Sequence, residues 1–164
     1  MKLFHGSKES NLQYKDNDIC NIYNGSLFFS DSFQSALSHG SYVYSFEIDE
    51  ENILSHRELV SMQYSADVDV SEILKEIALD SGFNVDSDEK LERLAELVID
   101  NIGVYKWTDD DIDLLNVSNI TYVGWEAQRL RSVLAQRLGY SAVEVRDEHG
   151  TSFMVLNPDL VKEF

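Results

Sequence analysis

Few side chains in this chain of 164 residues could do chemistry, and they fall into three short stretches. The first is Leu3-Phe4-His5-Gly6-Ser7, an apolar run ending in an imidazole, a bare backbone unit and a hydroxyl. An imidazole offers a donor and an acceptor, and glycine lets another group come close to its peptide N–H and C=O. The second is Leu27-Phe28-Phe29-Ser30 followed by Ser35-Ala36, flat apolar rings and then a hydroxyl. Such rings stack on planar groups as readily as they fill a core. The third is Asp147-Glu148-His149-Gly150, two carboxylates beside a glycine between two apolar runs. A carboxylate can stabilise a developing positive charge. Each stretch also has a plain reading: a turn with a surface histidine, core aromatics, and acids facing solvent at a turn.

Several other chemistries lack their motifs. There is no G-x-G-x-x-G, no G-x-x-x-x-G-K-[ST] and no H-E-x-x-H. His5, His39, His56 and His149 show no metal-ligand spacing. The single cysteine, Cys20, can form neither an internal disulfide nor a thiolate zinc site. No bound metal is expected.

Tyr42, Tyr44, Phe46 and Ile48 alternate with Val43, Ser45 and Glu47, which predicts a strand with one buried face. Ser30 or Asp31 can cap a short helix over Ser32–Ser38 that Gly40 ends. Residues 6–25 are polar and turn-rich and read as a long loop bordering a site. Val70, Ile73, Leu74, Ile77 and Ala78 keep helical spacing, with Gly82 just past the end. Asp86 and Glu89 have capping-box spacing before a second amphipathic helix through Leu91, Leu94 and Val98. A shorter helix is predicted over Asp109–Leu115. A last one runs from about Gly124 to Leu138, with Leu130 and Leu134 in its apolar stripe and Arg129, Arg131 and Arg137 elsewhere. Strands Ala142–Arg146 and Ser152–Leu156 then form a hairpin about Gly150. Strands at both ends with helices between predict an α+β fold, a mostly antiparallel sheet with an acidic helical insertion at about 55–120. One domain over 1–164 accounts for the whole.

An apolar fraction of 43%, with 2 Trp, 8 Tyr and 8 Phe, marks a folded protein. The net charge is −17, and between Asp80 and Asp113 eleven acids face three bases. Such a chain repels nucleic acid and anionic membranes and steers in a basic partner. A solvated surface that keeps the protein soluble is the plainer reading. One cysteine and no apolar run of membrane length predict a soluble cytoplasmic protein.

In order and content the three stretches resemble the ADP-ribosyltransferase superfamily, especially its poly(ADP-ribose)-polymerase and diphtheria-toxin-like branch. The likeness covers roughly residues 1–48 and 122–158. It implies a split sheet and an enzyme that cleaves NAD and transfers ADP-ribose. It implies that His5 hydrogen-bonds a ribose hydroxyl and that Gly6, with Ser7 adjoining, presents backbone groups to the nicotinamide carboxamide. Phe28 or Phe29 would stack on the nicotinamide where the family usually has tyrosine, and Ser35 would hold the carboxamide. The family's acid usually precedes the aromatic of the final strand, stabilising an oxocarbenium-like state. Here that position is Ser152, in Ser152-Phe153-Met154-Val155. The acid is therefore sought at Asp147 first and Glu148 second.

The run Asp147 to Met154, preceded by Trp125-Glu126 on a helix, is similar to a narrower phage-encoded group. Those ADP-ribosyltransferases act as anti-CRISPRs, modifying the subunit of a type I-F surveillance complex that reads the protospacer-adjacent motif. A DNA-reading subunit is basic where it meets phosphates, which suits an acidic partner. NAD is itself anionic, so Lys2, Lys8 and Lys15 are candidates to relieve the local charge. Two rivals stay open on the sequence. An acidic DNA mimic would inhibit without NAD and weaken with salt. An NAD-hydrolysing toxin would release nicotinamide with no protein target present.

Overall fold

The apolar run that carries His5 forms strand β1 (Lys2–Ser7) in the computed structural model. The structure describes residues 1–10, 26–65, 67–117, 122–147, 150–156 and 162–163; of Asp147, Lys162 and Glu163 it describes only the backbone. Most of the expected 6–25 loop, with Lys15 and Cys20, lies outside the described residues, as do Glu148 and Pro158.

Strand β2 (Leu27–Phe29) and helix α1 (Phe33–His39) follow. The cap of α1 is Ser32, not Ser30 or Asp31: its Oγ accepts from the Ser35 N–H at 3.3 Å. Ser30 Oγ instead accepts from the Ser32 N–H at 3.0 Å, which sets the entry to the helix. In β3 (Tyr42–Glu47) the alternation buries Tyr44 and Phe46, whereas Tyr42 at the strand's start is exposed.

Strand β4 (Ile53–Leu54) and helix α2 (His56–Gln63) were not anticipated, being too short or too polar to show a period. Helix α3 (Val70–Asp80) ends before Gly82, whose φ of 72° is a left-handed conformation that glycine adopts freely. Helix α4 (Asp88–Ile99) is capped by Ser87, whose Oγ accepts from the Lys90 N–H; the Asp86–Glu89 capping box is not formed. Asp86 pairs instead with the Lys90 side chain at 2.8 Å. Helices α5 (Asp109–Leu114) and α6 (Val123–Arg137) complete the helical layer. Strands β5 (Ala142–Asp147) and β6 (Gly150–Val155) form the hairpin, and β7 (Lys162–Glu163) pairs with β3.

Two sheets result, ordered β1-β3-β7 and β2-β6-β5-β4. All pairings are antiparallel except β4 with β5. The architecture is therefore α+β with a split sheet. Because successive residues of a strand face opposite sides, the second sheet has two apolar faces. Val143, Val145 and Met154 pack under α2–α6, while Ala142, Phe153 and Val155 meet Leu3, Phe29 and Phe46. Among the described residues no helix is long and apolar enough to cross a membrane.

Arg131, placed by its spacing outside the apolar stripe, is only 1% exposed. Helix α6 is covered by both the sheet and α4, so its buried arc is wider than one stripe. The guanidinium reaches the last carbonyls of α4, donating through Nη1 to Val98 O at 2.6 Å and Ile99 O at 3.0 Å. Its Nε donates to Glu144 O at 2.8 Å, tying the helical layer to β5.

A second polar tie joins α4 to α5. Arg93 donates through Nε to Asp111 Oδ1 at 2.7 Å and through Nη2 to Oδ2 at 2.9 Å. Asp111 also closes a capping box with Thr108. The Arg93 guanidinium holds the Asp111 pKa at about 2, below its ordinary 3.8. A carboxylate with a depressed folded pKa contributes stability above its unfolded pKa and loses it as pH falls through the folded one. On the order of 1–2 kcal/mol should therefore disappear between about pH 4 and pH 2. Thermal melts across that range should show a fall in Tm that is smaller in Asp111→Asn, and equal falls would remove the pair from the account.

Candidate active site

Among the described residues the two sheets are joined by backbone hydrogen bonds at one bridge. Phe4 N–H donates to Ser30 O at 2.7 Å, and Ser30 N–H donates to Phe4 O at 2.8 Å. Beyond it β1 continues, but no described strand pairs with it on that side. Backbone N–H and C=O groups of a strand alternate sides, so Gly6, two residues after Phe4, directs both toward the same open edge. The split thus leaves a donor and an acceptor without a strand partner among the described residues, beside the ends of β1 and β2.

A cleft of about 370 Å³ occupies this opening. Of the six expected binding residues, His5, Gly6, Phe28, Phe29 and Ser35 line it and Ser7 does not. Ser7 Oγ instead accepts from the Glu9 N–H at 3.1 Å. The cleft also takes Trp125 and Gln128 from α6, His39 from the end of α1, and Thr151 and Ser152 from β6. Trp125, Gln128, His39 and Thr151 were not anticipated as lining residues, whereas Ser152 stands where the superfamily usually has its acid. The available signal was the i, i+3 spacing of Trp125 and Gln128, which puts both on one side of α6.

His5 has a fixed orientation. Its Nδ1 lies 2.7 Å from Phe28 O, and a carbonyl can only accept, so Nδ1 carries the proton. Nε2 is then an acceptor in the neutral ring. Burial lowers the His5 pKa below 6.5; the Phe28 bond opposes this and His39 adds to it. The imidazole is therefore neutral at pH 7.

Phe28 and Phe29 divide as strand alternation requires. Phe29 is 2% exposed and packs against His5 and Phe46, with centroids 5.5 and 6.3 Å away. Phe28 is half-buried on the other face, level with Met154 in register.

Gly6 has a packing reason as well as an exposed backbone. A Cβ built there would collide with the Ala36 carbonyl of α1, and one on Gly40 would collide with the Ser7 carbonyl. The two glycines let α1 lie directly on β1, which brings Ser35 to the cleft.

On the acid side, Ser152 lines the cleft and is buried. Asp147 closes β5 opposite Gly150, two residues along β6 from Ser152, and its side chain lies outside the described residues. Glu144, a more distant acid, accepts from the His56 N–H at 2.9 Å and so serves the start of α2. Lys2 Nζ sits 5.8 Å from the Phe4 ring centroid, close to the cleft wall.

The family model described as Anti-CRISPR Type I-F ADP-ribosyltransferase AcrIF11 matches residues 1–163. A solved structure described as the crystal structure of an anti-CRISPR protein is 32% identical, with a TM-score of 0.63. That likeness covers 100% of this chain and 95% of the other. No curated protein matches. A match over nearly the whole chain, together with a split-sheet cleft at the expected segments, decides the family: the chain belongs to the type I-F anti-CRISPR ADP-ribosyltransferases of the AcrIF11 group.

Proposed function

We propose that the cleft at the sheet split binds NAD and that the chain, acting as one domain over 1–164, transfers its ADP-ribose to a basic subunit of a type I-F surveillance complex. The bacterial cytoplasm is where the two would meet. The observation that carries the site assignment is the bare edge of β1. Gly6 offers one N–H and one C=O, which is what a planar carboxamide needs.

Ser35 Oγ supplies a further polar contact to that amide. Phe28 gives the stacking face, since Phe29 is committed to the core. His5 Nε2 accepts from a ribose hydroxyl. Asp147 at the hairpin end holds a hydroxyl of the nicotinamide ribose and stabilises the cation that forms as the C1′–N bond breaks. The bonding pair leaves with nicotinamide, which departs neutral. A nucleophile of the target side chain then bonds to C1′ and gives up its proton. At −17 overall, the protein is drawn to a target whose surface is made to meet phosphates.

Incubation with NAD and purified surveillance complex should add ADP-ribose to the subunit that reads the protospacer-adjacent motif, seen by mass spectrometry. Inhibition that persists without NAD would instead favour a DNA mimic. Nicotinamide release at the same rate without the complex would favour NAD hydrolysis.

The His5 geometry adds a pH dependence. Protonation converts Nε2 from acceptor to donor. KM for NAD should be flat above pH 6.5 and rise through a midpoint below it, the direction in which burial moves the His5 pKa. His5→Phe should raise KM about tenfold, the size of one lost hydrogen bond, and abolish that rise. A KM unchanged from pH 7 to pH 5 in the parent protein would count against the acceptor role.

A further inference from the structure

Along α6, on a face adjoining the one that lines the first cleft, lies a second cavity of about 380 Å³, between that helix and the segment after α4. Arg131 and Arg146 both line it, in a chain with only 13 basic residues against 30 acidic ones. Neither arginine lines the first cleft.

Arg131 is the unusual member. Its Nε and Nη1 are satisfied by three carbonyls, but Nη2 is buried with no acceptor among the described residues. No described carboxylate forms an ion pair with it; the ion pairs among the described residues involve Lys75, Lys90, Arg93, Arg129 and Arg137. Burial lowers its pKa to about 10, with Glu144 and Asp100 acting in the opposite direction, so the group stays charged at pH 7. The last carbonyls of α4 and the Glu144 and Asp100 carboxylates offset the charge, but a buried donor left idle is costly. An oxyanion admitted past the wall that closes Nη2 from solvent would satisfy the donor and pair with the charge.

The remaining walls are mostly apolar, including Ile102, Val104 and Ala127, with the Asn101 and Gln128 amides among them, and Tyr105 stands 87% exposed at the edge. The size is within the range of small-molecule pockets.

We propose that this cavity is a second ligand site, taking a small molecule that carries a carboxylate or phosphate on a compact apolar or aromatic body. Arg131 and Arg146 receive the oxyanion, and the apolar wall and Tyr105 receive the body. The site is separate from the NAD cleft, from which only Gln128 is shared.

The test is titration of the full-length protein with phenyl phosphate, benzoate and inorganic phosphate, followed by guanidinium 15N–1H spectra. Phenyl phosphate or benzoate should bind saturably with Kd on the order of 1 mM or tighter, a normal affinity for fragments of this size. The Arg131 and Arg146 Nε signals should move while Arg57 stays still, and the inorganic ion should bind more weakly. Arg146→Gln, at the exposed rim, should weaken binding at least about fivefold with KM for NAD unchanged. The proposal is overturned if the two arginine signals do not move, if saturating NAD abolishes the binding, or if Arg146→Gln leaves it intact. Because the first readout uses the parent protein, the outcome does not depend on whether an Arg131 variant folds.

Discussion

Asp147→Ala should lower the rate of ADP-ribose transfer by about 10²–10³, the usual cost of removing one preorganised group that acts on developing charge. Its effect on NAD affinity should be smaller, about tenfold at most, because only the ribose-hydroxyl contact proposed for it is made in the ground state. The placement supports this choice over the position usual in the superfamily. The residue before Phe153 is Ser152, which lines the cleft but has no charge. Asp147 pairs in register with Gly150, about 7 Å further along the strand. Glu148→Ala should cost less than tenfold. Single-turnover labelling with isotopic NAD separates the two. Loss in Glu148→Ala with Asp147→Ala intact would exchange the roles. Full activity in both would place the acid elsewhere.

What the sequence disclosed and what it hid differ by physical cause. Helix α3 was legible because Val70, Leu74, Ile77 and Ala78 carry a single apolar stripe at helical spacing. The hairpin was legible because Gly150, at φ 110°, sits between two apolar runs. The caps of α1 and α4 were misplaced where several competent residues adjoin, Ser30-Asp31-Ser32 and Asp86-Ser87. Local propensity scarcely distinguishes such neighbours, and the packing of the helix decides. Arg131 was hidden for a different reason: a charged residue reads as surface until the elements that bury it are known. For the pair Phe28 and Phe29, alternation requires opposite faces, but only the second sheet shows which face is core. The acidic middle was readable as helices, yet nothing in its spacing revealed that α4 would hand its last carbonyls to α6.

Gly6→Ala should lose stability and activity together. Glycine was expected at this position to let a ligand approach; the structure adds that it lets a helix approach. The new methyl group would meet the Ala36 carbonyl, which is backbone and has little room to yield. Overpacking of this kind costs about 1–3 kcal/mol, or roughly 3–10 °C in Tm for a domain of this size. Relief requires α1 to lift from β1, and Ser35 moves with it. NAD affinity should fall at least about tenfold as a consequence, although the Gly6 N–H and C=O remain in the chain. Two controls separate the causes. Ser35→Ala should weaken NAD about tenfold with Tm unchanged, since only one polar contact is removed. Gly150→Ala has open space around its Cβ but keeps a positive φ, so it should cost stability by about 1 kcal/mol through backbone strain alone. A Gly6→Ala protein with parental Tm and weakened NAD binding would show that the glycine serves the ligand directly. Parental Tm with parental binding would remove the β1 edge from the site.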